Sequence, residues 1–190
     1  MPVIRYQCQE YRDGDAALIK TVRDREEFYD VVRILEMWRY LFEQRTYCVL
    51  KVRFYFQKHH LDLKKYASFL RHISRNELFL SDLDGLISYN ELLDKVSVFT
   101  LPEYEDKLVS ETLNKVIYFS QASISKATGE VSPPVKDRAR ICICKAIECP
   151  DFEYIQCGFC FTWLHTECAG FAIGDTISTA NFRCKSCRKL

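Results

Sequence analysis

Eight of the chain's ten cysteines fall between residues 142 and 187, with one histidine, His165, among them. Eight of these nine form four close pairs: Cys142-x-Cys144, Cys157-x-x-Cys160, His165-x-x-Cys168 and Cys184-x-x-Cys187. A spacer of one or two residues lets two side chains grip one ion from a tight turn, and zinc takes four thiolate or imidazole ligands in a tetrahedron. Four pairs therefore make two sites. A stretch this short cannot bury a core large enough to fold alone, so two structural zinc ions are expected to supply much of its folding free energy. Both sites would be full, with no open position for a catalytic water. The competing reading is a disulfide framework. However, the N-terminal run MPVIRYQCQEYRDGD lacks the apolar segment of a secretory signal, so reduced thiols are expected. A histidine set among paired cysteines also suits zinc and not disulfides.

The ligand order, four cysteines, one histidine and three cysteines, resembles that of PHD fingers; RING domains usually place histidine earlier. Trp163, two residues before His165, and Phe182, two before Cys184, fit the same pattern. The spacing is nearest to the finger of the bromodomain PHD finger transcription factors, the large subunits of nucleosome-remodelling factors. The resemblance runs from Ile141 to Cys187, about a quarter of the chain. It implies a cross-braced pairing in which Cys142, Cys144, His165 and Cys168 hold one zinc and Cys157, Cys160, Cys184 and Cys187 the other. Cys149 is then spare. A first pair made of Cys144 and Cys149, used by some PHD fingers, is the alternative; Cys142 keeps the closer family spacing.

The resemblance also implies a partner. PHD fingers of this kind bind the N-terminal tail of histone H3 as an added strand, and some enclose methylated lysine 4 in aromatic faces. Tyr154 and Trp163 match two walls of such a cage. Ile141 and Glu148 replace the other two, and Gly158 stands where an aspartate can meet a tail arginine. Glu148, Asp151 and Glu153 are further candidate contacts. A carboxylate accepts from N–H but not from N–CH₃, so they would favour an ammonium with fewer methyls. The expected role is a nuclear chromatin reader, acting as subunit or regulator of a chromatin complex. The alternative is a scaffold module that has lost methyl-lysine reading. A ubiquitin-ligase-like adaptor rests only on the general architecture.

Residues 1–127 resemble no family and read as a mainly α domain, with α+β as the alternative. Asp24 and Glu27 form a capping box ahead of Phe28, Val31, Leu35, Trp38 and Phe42, which recur at helical spacing; this predicts a helix over 25–44 with Trp38 in the core. Helices are also expected over about 62–75 and over 102–127, the second ending at Thr128-Gly129. Alternation over Tyr47–Phe56 predicts a strand, and short β-like runs flank a turn at Asp13-Gly14-Asp15. Residues 80–91 resemble an EF-hand calcium loop through Asp82, Asp84, Gly85, Ser88 and Glu91, but Leu80 replaces the first carboxylate. A capped turn is expected there, with Gly85 at positive φ and Ser88-x-x-Glu91 opening the next helix. His59-His60 has no further ligand nearby and reads as a polar surface pair. The expected domains are 1–127, a stiff linker over 128–140 containing Pro133-Pro134, and the finger over 141–190. Other protein subunits would dock through residues 1–127.

Net charge is +1, and the finger carries five basic and five acidic residues, so composition offers no basic face for nucleic acid. No apolar run reaches membrane-spanning length. There is no nucleophile–base constellation and no phosphate-cradling glycine loop, so no enzymatic activity is expected.

Overall fold

The computed structural model of the chain describes residues 3–23, 25–110, 116–172 and 182–188. In chain order the strands are β1 (Ile4–Tyr6), β2 (Gln9–Tyr11), β3 (Ala16–Arg23), β4 (Glu26–Phe42) and β5 (Arg45–Phe56). A short α1 (Leu63–Tyr66) precedes β6 (Glu77–Ser88), β7 (Leu92–Val96), β8 (Val98–Phe99) and α2 (Leu101–Ser110). Then come β9 (Tyr118–Ile124), β10 (Val131–Ser132), β11 (Tyr154–Gln156), β12 (Trp163–His165) and α3 (Thr166–Ala169). The chain divides into two compact units: Met1–Asp62 with Asn76–Pro133, and Leu63–Arg75 with Pro134–Leu190.

The first unit is built on an eight-stranded sheet in the order β10-β9-β6-β5-β4-β3-β7, with β8 also paired to β9. The pairings of β9 with β6 and with β8 are parallel and the others antiparallel. Ile19, Val32, Ile34, Leu50, Val52 and Leu92 pack together with Ile4 and Tyr11 of the β1–β2 hairpin. Val31, Tyr55 and Leu78 form a separate cluster. The mainly α expectation is therefore wrong: this region is a β-sheet unit with one ten-residue helix, α2.

The misreading has a physical cause. The predicted helix over 25–44 is strand β4, and Asp24 lies outside the described residues. Val32 and Ile34 join one cluster and Val31 the other, while a bulge between Ile34 and Glu36 shifts the register so that Met37 rejoins Val32 and Ile34. A strand buried on both faces loses its alternation, and the bulge adds a step of three; together they imitate a helical period. Trp38 is not core but 43% exposed. Beyond Ile34 the strand leaves β3, and before Val49 strand β5 has no partner in β6. Residues 36–48 thus extend as a two-stranded ribbon, closed by Glu43 and Gln44 at positive φ. Trp38, Tyr40, Phe42 and Tyr47 share one of its faces, with Tyr40 and Tyr47 stacked at 5.4 Å.

Strand β5 forms over the alternating stretch as expected. In 62–75 only Leu63–Tyr66 is α-helical; a 3₁₀ turn at Leu70–His72 follows, and Ile73 and Ser74 are each only 1% exposed. The calcium-loop resemblance over 80–91 dissolves into β6. Asp84 makes a two-pronged ion pair with Arg53, at 2.7 and 3.1 Å. Asp82 accepts from Ser125 Oγ at 2.9 Å and from the Lys126 N–H at 2.7 Å. Gly85 is not at positive φ; it lies opposite Val52, and a Cβ there would come 2.9 Å from Phe54 Cε2. Only the capping box survives: the Ser88 N–H donates to Glu91 Oε1 at 2.8 Å and opens a 3₁₀ turn over Tyr89–Glu91. Of the predicted helix over 102–127, Leu101–Ser110 is α2, residues 111–115 lie outside the described residues, and Tyr118–Ile124 is strand β9. Gly129, at φ +64°, turns the chain from β9 into β10, and its N–H donates to the Ser125 carbonyl at 2.7 Å. His60 is used locally: its Nδ1 accepts from the Gln57 N–H at 2.9 Å, and its ring lies 4.0 Å from that of His59.

Candidate metal centres

In the second unit the local turns deliver the ligands in pairs. Lys145, at φ +58°, donates its N–H to the Cys142 carbonyl at 2.9 Å and folds Cys142 and Cys144 into one turn. The Phe161 N–H reaches the Cys157 carbonyl at 2.9 Å, and the Cys187 N–H reaches the Cys184 carbonyl at 3.0 Å, closing two further knuckles. His165 ends β12, and Cys168 sits one turn later on α3. Gly170, at φ +97°, terminates α3 with its N–H on the Glu167 carbonyl.

These turns assemble two clusters: Cys142, Cys144, His165 and Cys168, and Cys157, Cys160, Cys184 and Cys187. Within each, the ligand atoms lie inside 4.8 Å of one another. Sulfur and nitrogen ligands around zinc are expected about 3.6–3.8 Å apart, from their bond lengths and the tetrahedral angle. Cys144 Sγ and Cys168 Sγ stand 3.4 and 3.7 Å from His165 Nδ1, and Cys160 Sγ stands 3.9 Å from Cys184 Sγ. Each cluster can thus hold one zinc ion, and together they can hold two structural zincs. Cys142, not Cys149, belongs to the first cluster. Cys149 is buried nearby, and its backbone N–H donates to Tyr154 Oη at 3.0 Å.

The electrostatics agree with thiolate ligands. Backbone N–H groups of Cys160 and Cys184 aimed at the Cys157 sulfur bring its thiol down to about 6. Burial, then the neighbouring thiols, pushes Cys187 up to about 12; burial and the adjacent Cys142 do the same to Cys168. Four thiols cannot all ionise side by side without a cation, and a dication at the centre removes that conflict. Burial also lowers the His165 pKa, favouring the neutral imidazole that a metal requires.

The remaining candidate contacts divide sharply. Strands β11 and β12 pair Tyr154 with His165 and Gln156 with Trp163. Directly opposed residues share a face, so Tyr154 and Trp163 lie diagonally on one side, while Ile155 and Leu164 face the core. Trp163 is 43% exposed. Tyr154 is half-buried: its ring packs on His165 at 4.7 Å and its hydroxyl is held at the Cys149 backbone. Glu153 is exposed and Glu148 partly so. Asp151 is engaged elsewhere: it accepts from Ser74 Oγ at 2.6 Å and from the Arg75 N–H at 3.1 Å. Sequence reasoning missed this role for 63–75, and no local pattern carries it, because Ser74 and Asp151 are 77 residues apart.

No family model matches the chain, and no curated protein sequence matches it. Among solved structures, the yeast Rsc2 BAH domain is similar, with 14% identity and a TM-score of 0.48. The match covers 67% of this chain and spans about half, 51%, of that one.

Proposed function

We propose that the second unit is a PHD-type finger that reads the N-terminal tail of histone H3 and places the protein on chromatin in the nucleus. The observation that carries this reading is the common face of Tyr154 and Trp163. A cation between two such rings is attracted by both quadrupoles. Tyr154, fixed by His165 and the Cys149 backbone, is a preorganised wall; Trp163 is the open one. Among the described residues no third strand pairs with β11 or β12, so an extended peptide has an edge to join. The zincs on this reading are structural and the protein is a binding module, not an enzyme. Two aromatic walls at about 0.5–2 kcal/mol each separate methylated from bare lysine by roughly one to three orders of magnitude. Of the three acidic candidates, Glu148 and Glu153 remain available to an ammonium N–H.

A second reading is favoured by a different observation. The ribbon over 36–48 presents Trp38, Tyr40 and Phe42 at 43%, 51% and 58% exposure, which suits a scaffold that binds other protein subunits through the first unit. Titration of the full chain with bare, mono-, di- and trimethylated H3 tail peptides decides between them. Saturable binding that Trp163→Ala weakens more for methylated than for bare tails supports the reader, as does a gain in trimethyl affinity in Glu148→Tyr. Absence of saturable binding to all four peptides leaves the scaffold reading.

A further inference from the structure

A zinc-bound imidazole normally donates its second ring N–H to an outer partner, which fixes the ring for the metal. His165 turns Nδ1 toward Cys144 and Cys168, so Nε2 faces away from the cluster. That Nε2 is buried and makes no hydrogen bond among the described residues. Three rings surround the imidazole: Tyr154 at 4.7 Å, Phe152 at 5.3 Å and His72 at 6.2 Å. Of these, Tyr154 uses its hydroxyl on the Cys149 backbone, and Phe152 has no acceptor nitrogen or oxygen.

We propose that His72, far upstream in the sequence but with its ring 6.2 Å from that of His165, is the positioning residue for this zinc ligand. The segment Leu63–Arg75 would then be an integral wall of the first zinc centre. The structure holds that segment in place twice. Asp151 clamps Ser74 and the Arg75 N–H, and the His72 ring lies 5.5 Å from Phe152, which meets His165 edge to face. A direct bond between two imidazoles holds their centroids about 5 Å apart, and the His72 and His165 rings stand 6.2 Å apart. The second cluster's four ligands are all cysteines, so it has no imidazole to position. Zinc retention at the first centre therefore depends on residues far upstream in sequence, and retention at the second does not. This inference stands independently of whether the finger reads H3.

The test uses the full chain with both sites loaded. Substitution with cadmium gives separate NMR resonances for the mixed site and the all-cysteine site, and a chelator challenge then times metal loss from each. His72→Ala should speed loss from the mixed site about tenfold or more, the usual scale for an outer partner, and leave the all-cysteine site unchanged. His72→Gln, which keeps an acceptor, should recover more of the retention than His72→Phe, which keeps only ring bulk and guards against simple misfolding. Unchanged retention at the mixed site in all three variants overturns the proposal. So does equal loss at both sites, or recovery by Phe as complete as by Gln, since either would mean packing and not positioning.

Discussion

Leu164 touches no metal, yet its truncation should cost zinc affinity. It lies between Trp163 and His165, points to the opposite face, and is 2% exposed in a cluster with Ile155, Phe182 and four of the zinc-ligand cysteines. Replacing a buried leucine by alanine costs roughly 2–5 kcal/mol, the lower part applying where the surroundings can collapse. The second unit is small, so about 2–4 kcal/mol is the reasonable range here. If the metal-free unit is unfolded, that loss is drawn directly from the free energy of metal binding. At about 1.4 kcal/mol per tenfold, Leu164→Ala should lower overall zinc affinity by roughly 30- to 1,000-fold, shared between the two sites. Competition with a chromophoric chelator on the full chain measures it. The first unit has its own sheet, so a circular dichroism signal dominated by strand should survive. An affinity within about threefold of the parent would refute the reasoning, because it would mean that the sites are preformed without the metal and that the core and the zincs do not fold together.

The two parts of the chain differed in what their sequences disclosed. The ligand pairs are a local property: two ligands per turn, fixed by spacers of one or two residues, so the four pairs could be read from the string, whereas which pairs share a cluster was implied by the resemblance to PHD fingers. The sheet is not local. Val31, Val32, Ile34 and Met37 are buried because β3 and β5 flank β4 and apolar groups cover both faces, and the bulge after Ile34 removes the period that would have betrayed a strand. Strand β5 advertised itself through the alternation of Leu50, Val52 and Phe54, and the short runs on either side of Asp13-Gly14-Asp15 became β1 and β3.

Asp82 and Asp84 mislead for a related reason. Their spacing with Gly85 matches a calcium loop, but their partners come from other strands: Arg53 on β5, and Ser125 with Lys126 just past β9. Gly85 likewise answers to Phe54 and not to a turn. In the second unit, Tyr154 and Trp163 were singled out by the resemblance to PHD fingers, and the β11–β12 register puts them on one side. Asp151 could not be assigned, because its partner is Ser74.

Further outcomes follow from the same contacts. Cys157→Ser and Cys168→Ser should each lose at least one zinc by elemental analysis, whereas Cys149→Ser should keep two. Gly85→Ala should destabilise the first unit by about 1–3 kcal/mol, unless the Phe54 ring can swing clear, because overpacking a sheet face strains its neighbours; thermal unfolding reads it. Asp82 is held below its ordinary range by the Lys126 N–H and then by Ser125. A lowered folded pKa means that its contribution is present above the ordinary carboxylate value and is lost as pH falls below it. Asp82→Asn should therefore flatten the acid limb of urea stability below about pH 4, and an unchanged limb would discount the contact. The last expectation separates structure from recognition. Asp151 accepts two hydrogen bonds from the 63–75 segment, and bonds to a charged acceptor are worth about 1.5–3 kcal/mol each when buried, less at this exposed site. Asp151→Asn should thus weaken the second unit and loosen 71–75, visible as faster amide exchange there, while leaving the order of preference among methylated H3 tails as it was. Glu148→Gln should do the opposite: stability stays, and any preference for an ammonium that keeps an N–H falls, because the carboxylate that would accept it is gone. A changed methyl preference in Asp151→Asn with normal exchange at 71–75 would show that this carboxylate faces the ligand and that its bonds to Ser74 and Arg75 are dispensable.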